Sequence, residues 1–256
     1  MKENRKFLKS DAWKDLRDYE TDQSKGEPRP PVQKPHPKGA KLIDLVRIED
    51  ISLGEEQLKT VMGQRKSHRV YTEESLSLEE LSFLLWATQG IREVSSDGER
   101  YYRHVPSGGN RHSIETYLSI HRVETVETGL YRYLPIEHKL LPVRIEAGIP
   151  KETSTGLMNQ TNTVDGKPYV FTRECAVAFI WTTIPYRTEW RYAMVAHRMI
   201  AIDAGHICQN LYLACGAIGA GVCAIGALDQ KETDKVLGVD GEDEFVLYAA
   251  TVGKVA

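Results

Sequence analysis

Residues 191–215 read RYAMVAHRMIAIDAGHICQNLYLAC, and the pattern of this stretch decides the fold. Met194, Val195, Ile202, Cys208, Leu211 and Leu213 spread apolar side chains around much of a helical circumference. A helix of that kind is central, or is covered by a partner. Upstream, residues 175–184 read CAVAFIWTTI, a continuous apolar run suited to a strand buried on both faces. Residues 116–123, 130–134, 139–145 and 244–252 read as further strands. Ser77-Leu78-Glu79-Glu80 is a capping box opening a helix through Leu81, Leu84, Leu85 and Trp86, which Gly90 is placed to end. Asp229-Gln230-Lys231-Glu232 caps another. Helices and strands come mixed, not in regular alternation, so the expected class is α+β and not a doubly wound sheet.

The composition is that of a globular protein, with 41% hydrophobic and 27% charged residues in a chain of 256. A net charge of −3 gives no pull toward nucleic acid or an anionic membrane surface. The apolar stretches are broken by charge well short of a membrane span. The N-terminus, with Lys2, Glu3, Arg5, Lys6 and Lys9, has no apolar run behind it and is not a secretory signal. Cys175, Cys208, Cys215 and Cys223 form no Cys-x-x-Cys pair, and no histidines stand in a His-x-x-x-His pair. Reduced core cysteines in a cytoplasmic protein, and no metal, are expected. Residues 1–40 form an extended proline-rich N-terminal arm, through Pro28-Arg29-Pro30-Pro31 and Pro35-His36-Pro37. Phe7, Leu8, Trp13, Leu16 and Tyr19 would anchor it on a partner surface; residues 41–256 form the domain.

Three segments carry the chemistry. In Arg65-Lys66-Ser67-His68-Arg69 an extended backbone turns Arg65, Ser67 and Arg69 to one side. Two guanidiniums and a hydroxyl suit a phosphate monoester. Pro106-Ser107-Gly108-Gly109-Asn110 is a turn with backbone amides and polar side chains, lacking the Gly-Lys-Ser/Thr of a phosphate P-loop. Ala224-Ile225-Gly226 precedes the capped helix at Asp229, where glycine permits a close approach to the backbone.

In this order, over residues 61–254, these segments resemble the nitroreductase family of FMN flavoproteins. The resemblance implies a mixed sheet flanked by helices, a long central dimer-forming helix, and a homodimer with a flavin at each of two interface sites. It places Arg65, Ser67 and Arg69, with Lys254, on the FMN phosphate. It brings Pro106, Ser107, Gly108, Gly109 and Asn110 from the partner subunit and sets Ala224, Ile225 and Gly226 against flavin N5. It also implies two-electron ping-pong transfer, from NAD(P)H to a quinone, nitroaromatic or similar small acceptor. Gly129-Leu130-Tyr131-Arg132-Tyr133, Asp203-Ala204-Gly205-His206 and Gln209-Asn210-Leu211 are similar to the branch that holds the peptide azoline dehydrogenases. Those enzymes carry a Lys-Tyr pair where this chain, aligned on Gly205-His206, has Arg191-Tyr192. Arginine is a poor general base, which counts against azoline oxidation by the usual route. His112 stands where that branch commonly has proline. Arg191, Tyr192 and His206 are the candidate substrate contacts. The alternatives are an azoline dehydrogenase acting on a modified peptide and a non-catalytic flavin-binding dimer.

Overall fold

The computed structural model describes residues 4–256, so Lys2 and Glu3 lie outside the described residues. In chain order the elements are β1 (Ile43–Asp44), α1 (Leu58–Gln64), α2 (Leu78–Gln89), β2 (Ile91–Val94), β3 (Tyr101–Arg103) and β4 (Ile114–Ile120). Then come β5 (Gly129–Leu134), β6 (Lys139–Arg144), α3 (Ile149–Gly156), β7 (Asn162–Val164), β8 (Lys167–Tyr169) and α4 (Phe171–Glu174). The chain closes with β9 (Val177–Thr183), α5 (Tyr186–Tyr192), α6 (Ala196–Ala217), β10 (Ala220–Ile225), α7 (Gln230–Leu237) and β11 (Phe245–Lys254).

Seven strands form one sheet in the order β1-β6-β5-β4-β9-β11-β10, each neighbouring pair antiparallel. The parallel contact among the described residues is an isolated bridge from Leu76 to Val123. The apolar run at 175–184 becomes β9, in the middle of the sheet and buried throughout. Its period of two divides the core. Val177, Phe179 and Trp181 pack on one face with Leu84 of α2 and Ile207 and Leu211 of α6. Ala178 and Ile180 pack on the other with Ile149 of α3, Phe171 of α4 and Leu237 of α7. The result is a sheet with helices on both faces.

The capping signals act as read. Ser77 Oγ accepts the Glu80 amide at 3.1 Å, and Glu80 Oε2 accepts the Ser77 amide at 2.9 Å. The Asp229 carboxylate accepts the Glu232 amide at the start of α7. The long helix differs from its reading. A continuous helix from Arg191 is expected, but Ala193 has φ +41 and α6 begins only at Ala196. The Trp190 carbonyl, which an unbroken helix would offer to Met194, instead accepts the Gln23 amide at 2.9 Å. Arg191 and Tyr192 therefore end the short helix α5.

Residues 29–35 lie along the chain's own sheet. Val32 and Gln33 are buried. The Val32 carbonyl accepts Arg103 Nη2 at 2.8 Å, and the Lys34 amide donates to Glu115 Oε1 at 2.7 Å. That carboxylate also holds Arg187 Nη2 at 2.6 Å. Residues 4–18 form three short 3-10 turns with no buried residue. No helix among the described residues is long and apolar enough to cross a membrane.

His121, just after β4, rests between Ser119 Oγ at 3.0 Å and the Arg173 carbonyl at 3.1 Å. Burial, with Arg122 beside it, pushes its pKa from 6.5 to about 4. The unfolded chain therefore binds a proton there more readily than the folded one. Stability from this group is complete above about pH 6.5 and falls as the pH drops toward 4, by about 1.4 kcal/mol per unit. Urea unfolding between pH 7 and pH 4.5 should show a shallower acid slope in His121→Gln than in the parent. Equal slopes would refute this role.

Candidate functional site

Arg65 closes α1, and the following residues run extended toward β10, where the His68 amide donates to the Val222 carbonyl at 2.9 Å. Arg65, Lys66, Ser67 and Arg69 are all exposed. Among the described residues none of the three cations forms an ion pair. Ser67 Oγ meets Tyr212 Oη at 2.8 Å, and Tyr212 Oη in turn accepts the Ala224 amide at 3.0 Å. The Arg65 guanidinium lies 5.3 Å over the Tyr212 ring. Arg69 sits against Cys223, whose thiol burial pushes up while Arg69 pulls it down. A cleft of about 390 Å³ opens here between Arg65, Lys66, His68, Tyr212, Gly216 and Val222. The basic segment and the β10 segment, far apart in sequence, are thus joined through one tyrosine on α6. Sequence reasoning took residues 211–213 as plain apolar surface and missed Tyr212. The available signal was a hydroxyl at the tip of an otherwise apolar stripe.

Exposed Gly226 follows directly. A Cβ there would meet nothing nearer than Tyr248 at 3.9 Å, so no contact within the chain requires glycine at this position. Three cations without carboxylates beside an open glycine-lined backbone fit an anionic ring cofactor such as FMN. Lys254 is directed elsewhere: its ammonium pairs with Glu80 of the α2 capping box.

The Ser107–Asn110 loop is built against the other end of α6. Asp203 accepts the Gly108 amide at 3.1 Å and a hydrogen bond from the Ser107 hydroxyl, and burial pushes its carboxyl pKa up. Ser107 Oγ also accepts the His112 amide at 3.0 Å, and the Asn110 amide donates to the Ser107 carbonyl. Much of the loop's polar backbone is therefore already engaged. Asn110 Nδ2 bonds the Tyr101 carbonyl at 2.9 Å, while its buried Oδ1 has no partner among the described residues. Gly109 is demanded by its backbone conformation and packing, while Gly108 faces only the flexible end of Met199. A Cβ on Gly108 would lie 2.1 Å from Met199 Cε, and one on Gly109 would lie 2.4 Å from Tyr192 Oη, at φ +60. Pro106 stays exposed.

His112 is buried at φ +49, its Nε2 against the Tyr101 carbonyl at 2.7 Å. Burial and the neighbouring Arg103 hold its pKa well below the usual histidine range. Exposed Arg191 lies 5.4 Å over the Tyr192 ring, and His206 is exposed on α6.

Within one chain the two halves do not meet. Asp203 and Tyr212 are separated along α6 by about 13 Å and by two and a half turns, which places them on opposite sides of the helix. Ala201, Ile202, Gly205, His206, Gln209 and Gly216 form an exposed stripe along the same helix, at helical spacing.

Residues 62–254 match the nitroreductase family. A Methanocaldococcus jannaschii protein assigned to the nitroreductases is 27% identical over 82% of this chain and 98% of its own length. The trifolitoxin-processing protein TfxB of Rhizobium leguminosarum bv. trifolii is 29% identical over 69% of this chain, which spans 47% of that relative. A nitroreductase-type crystal structure from Ralstonia eutropha superposes with a TM-score of 0.65 at 25% identity, covering 90% of this chain and 99% of that one. On the match across residues 62–254, this chain belongs to the nitroreductase family of oxidoreductases.

Proposed function

We propose that the protein is an FMN-dependent oxidoreductase working as a homodimer, passing two electrons from NAD(P)H to a quinone, nitroaromatic or similar small acceptor. The observation that carries this reading is the group of unpaired cations Arg65, Lys66 and Arg69 gathered around Ser67, Tyr212 and Ala224. FMN supplies the chemistry when bound, accepting and delivering hydride equivalents at its N5. Arg65 and Arg69 hold the phosphate, with Ser67 donating a hydroxyl. The backbone from Ala224 to Gly226 lines the ring, and Tyr212 fixes that backbone relative to Ser67. The partner's Ser107–Asn110 loop supplies the remaining wall, and the exposed stripe of α6 forms the contact between copies. Arg191, Tyr192 and His206 then face the substrate. The reading calls for no side-chain nucleophile, since the bound flavin would carry the chemistry.

A second reading, azoline oxidation on a modified peptide, is favoured by the similarity to a trifolitoxin-processing protein. Arg191 argues against it, because a guanidinium does not take up a proton.

The test is direct. The purified protein should be yellow, absorb near roughly 450 nm as protein-bound flavins do, and bleach on addition of NADH or NADPH. It should sediment at about twice 28.9 kDa. A colourless protein, or a stable monomer that retains flavin, would overturn the proposal.

A further inference from the structure

We infer that Trp13 is a specificity-determining residue, and that the segment from Asn4 to Glu20 is a flap limiting the size of acceptor that reaches Tyr192. The inference rests on the reading above in that Tyr192 must face the substrate.

The N-terminal region is held in two unequal ways. From Glu27 onward it is fixed: the Glu27 carbonyl accepts Trp190 Nε1 at 3.0 Å, Arg29 reaches the Glu99 carbonyl at 2.8 Å, and Val32 is buried. Before Thr21 no described residue is buried, although Lys6 is engaged. The Gln23 amide bonds the Trp190 carbonyl, Tyr186 Oη meets Asp22 at 3.1 Å, and Arg198 donates to Ser10 Oγ. Residues 21–27 form a bonded turn, with the Gly26 amide on the Gln23 carbonyl at 3.2 Å and the Glu27 amide on the Asp22 carbonyl at 3.0 Å, so the lightly held part is the chain before Thr21.

What this segment covers is specific. The Trp13 ring meets the Tyr192 ring edge-on, with centroids 5.8 Å apart at 62°. Tyr192 also meets the Arg191 guanidinium, 5.4 Å over its ring, and Gly109 of the flavin-site loop, where a Cβ would come within 2.4 Å of the tyrosine hydroxyl. Of these neighbours, Trp13 is itself 39% exposed and belongs to the segment with no buried residue. A small planar acceptor needs no movement of that ring, whereas a larger one must displace it. Gly109, at φ +60, admits no side chain, so the adjustable neighbour is the exposed Trp13.

The protein as purified, reduced with dithionite, would be reoxidised in a stopped-flow instrument by p-benzoquinone (one ring) or 9,10-phenanthrenequinone (three rings). Trp13→Ala should raise the rate constant for the larger quinone roughly tenfold, the scale on which a pocket wall discriminates by size. The rate for p-benzoquinone should stay as in the parent, and Trp13→Phe should keep the parent's ratio of the two. Equal changes with both quinones, or no change, would overturn the inference. Labelling of Tyr192 by N-acetylimidazole, read by peptide mass spectrometry, gives a measure that needs no flavin. Trp13→Ala should speed it several-fold, and an unchanged rate refutes the cover. A protein without flavin would defeat the functional reading, while the labelling would still decide whether Trp13 shields Tyr192.

Discussion

Arg65→Ala combined with Arg69→Ala is expected to yield a folded protein that purifies with little flavin. Both guanidiniums are exposed and neither forms an ion pair among the described residues, so their removal leaves no buried charge stranded. The fold should lose only the contact of Arg65 with the Tyr212 ring and that of Arg69 with Cys223. Binding should suffer far more. Each charge-assisted hydrogen bond to a phosphate is worth about 1.5–3 kcal/mol, so two together should weaken FMN affinity by about 10²–10⁴-fold. Titration of flavin-free protein with FMN, read by quenching of flavin fluorescence, measures this change. A urea unfolding curve on the same sample separates lost binding from lost folding. Full FMN occupancy in the double variant would show that the phosphate lies elsewhere.

The unmodified protein should reduce a quinone far faster than it aromatises a thiazoline peptide, and Arg191→Lys should raise the second activity without abolishing the first. A positioned general base contributes about 10²–10⁴-fold to proton abstraction, and arginine cannot supply one. Quinone reduction needs no such base, since solvent can provide the proton. The structure makes the substitution a clean one. Arg191 is exposed at the end of α5, and its guanidinium touches the Tyr192 ring without an ion pair among the described residues. The turn at Ala193 is held by the Trp190 carbonyl and not by this side chain, so lysine should leave Tyr192 in place. Efficient thiazoline oxidation by the parent protein would mean that proton transfer does not depend on this position.

What can be read along the chain is what neighbours along the chain determine. Ser77 and Glu80 are three residues apart, as are Asp229 and Glu232, and each pair forms its helix cap through local bonds. The continuous apolar run at 175–184 needed nothing but its own pattern to place β9 in the centre of the sheet. The basic pentapeptide was legible for the same reason, because its charges lie next to one another.

The break at Ala193 was not legible, since it depends on Gln23 claiming a carbonyl at residue 190. Gly109 reads as part of a polar turn, yet tertiary packing sets it at φ +60 against Tyr192, where a side chain would not fit. Lys254 carried the right charge for a phosphate, and only the folded chain shows it committed to Glu80. Tyr212 passed for apolar surface until Ser67 and Ala224 met at its hydroxyl. By itself, then, the sequence determined the α+β class, the helices that became α2, α6 and α7, the strands that became β4, β5, β6, β9 and β11, and the cluster of cations. Those follow from backbone propensity and from the periods of two and 3.6, which act over a few residues. The tertiary structure decided which polar groups remain free and which are engaged. A hydrogen bond between residues far apart in sequence depends on where the packed helices and sheet bring their ends together, and no local pattern encodes that distance.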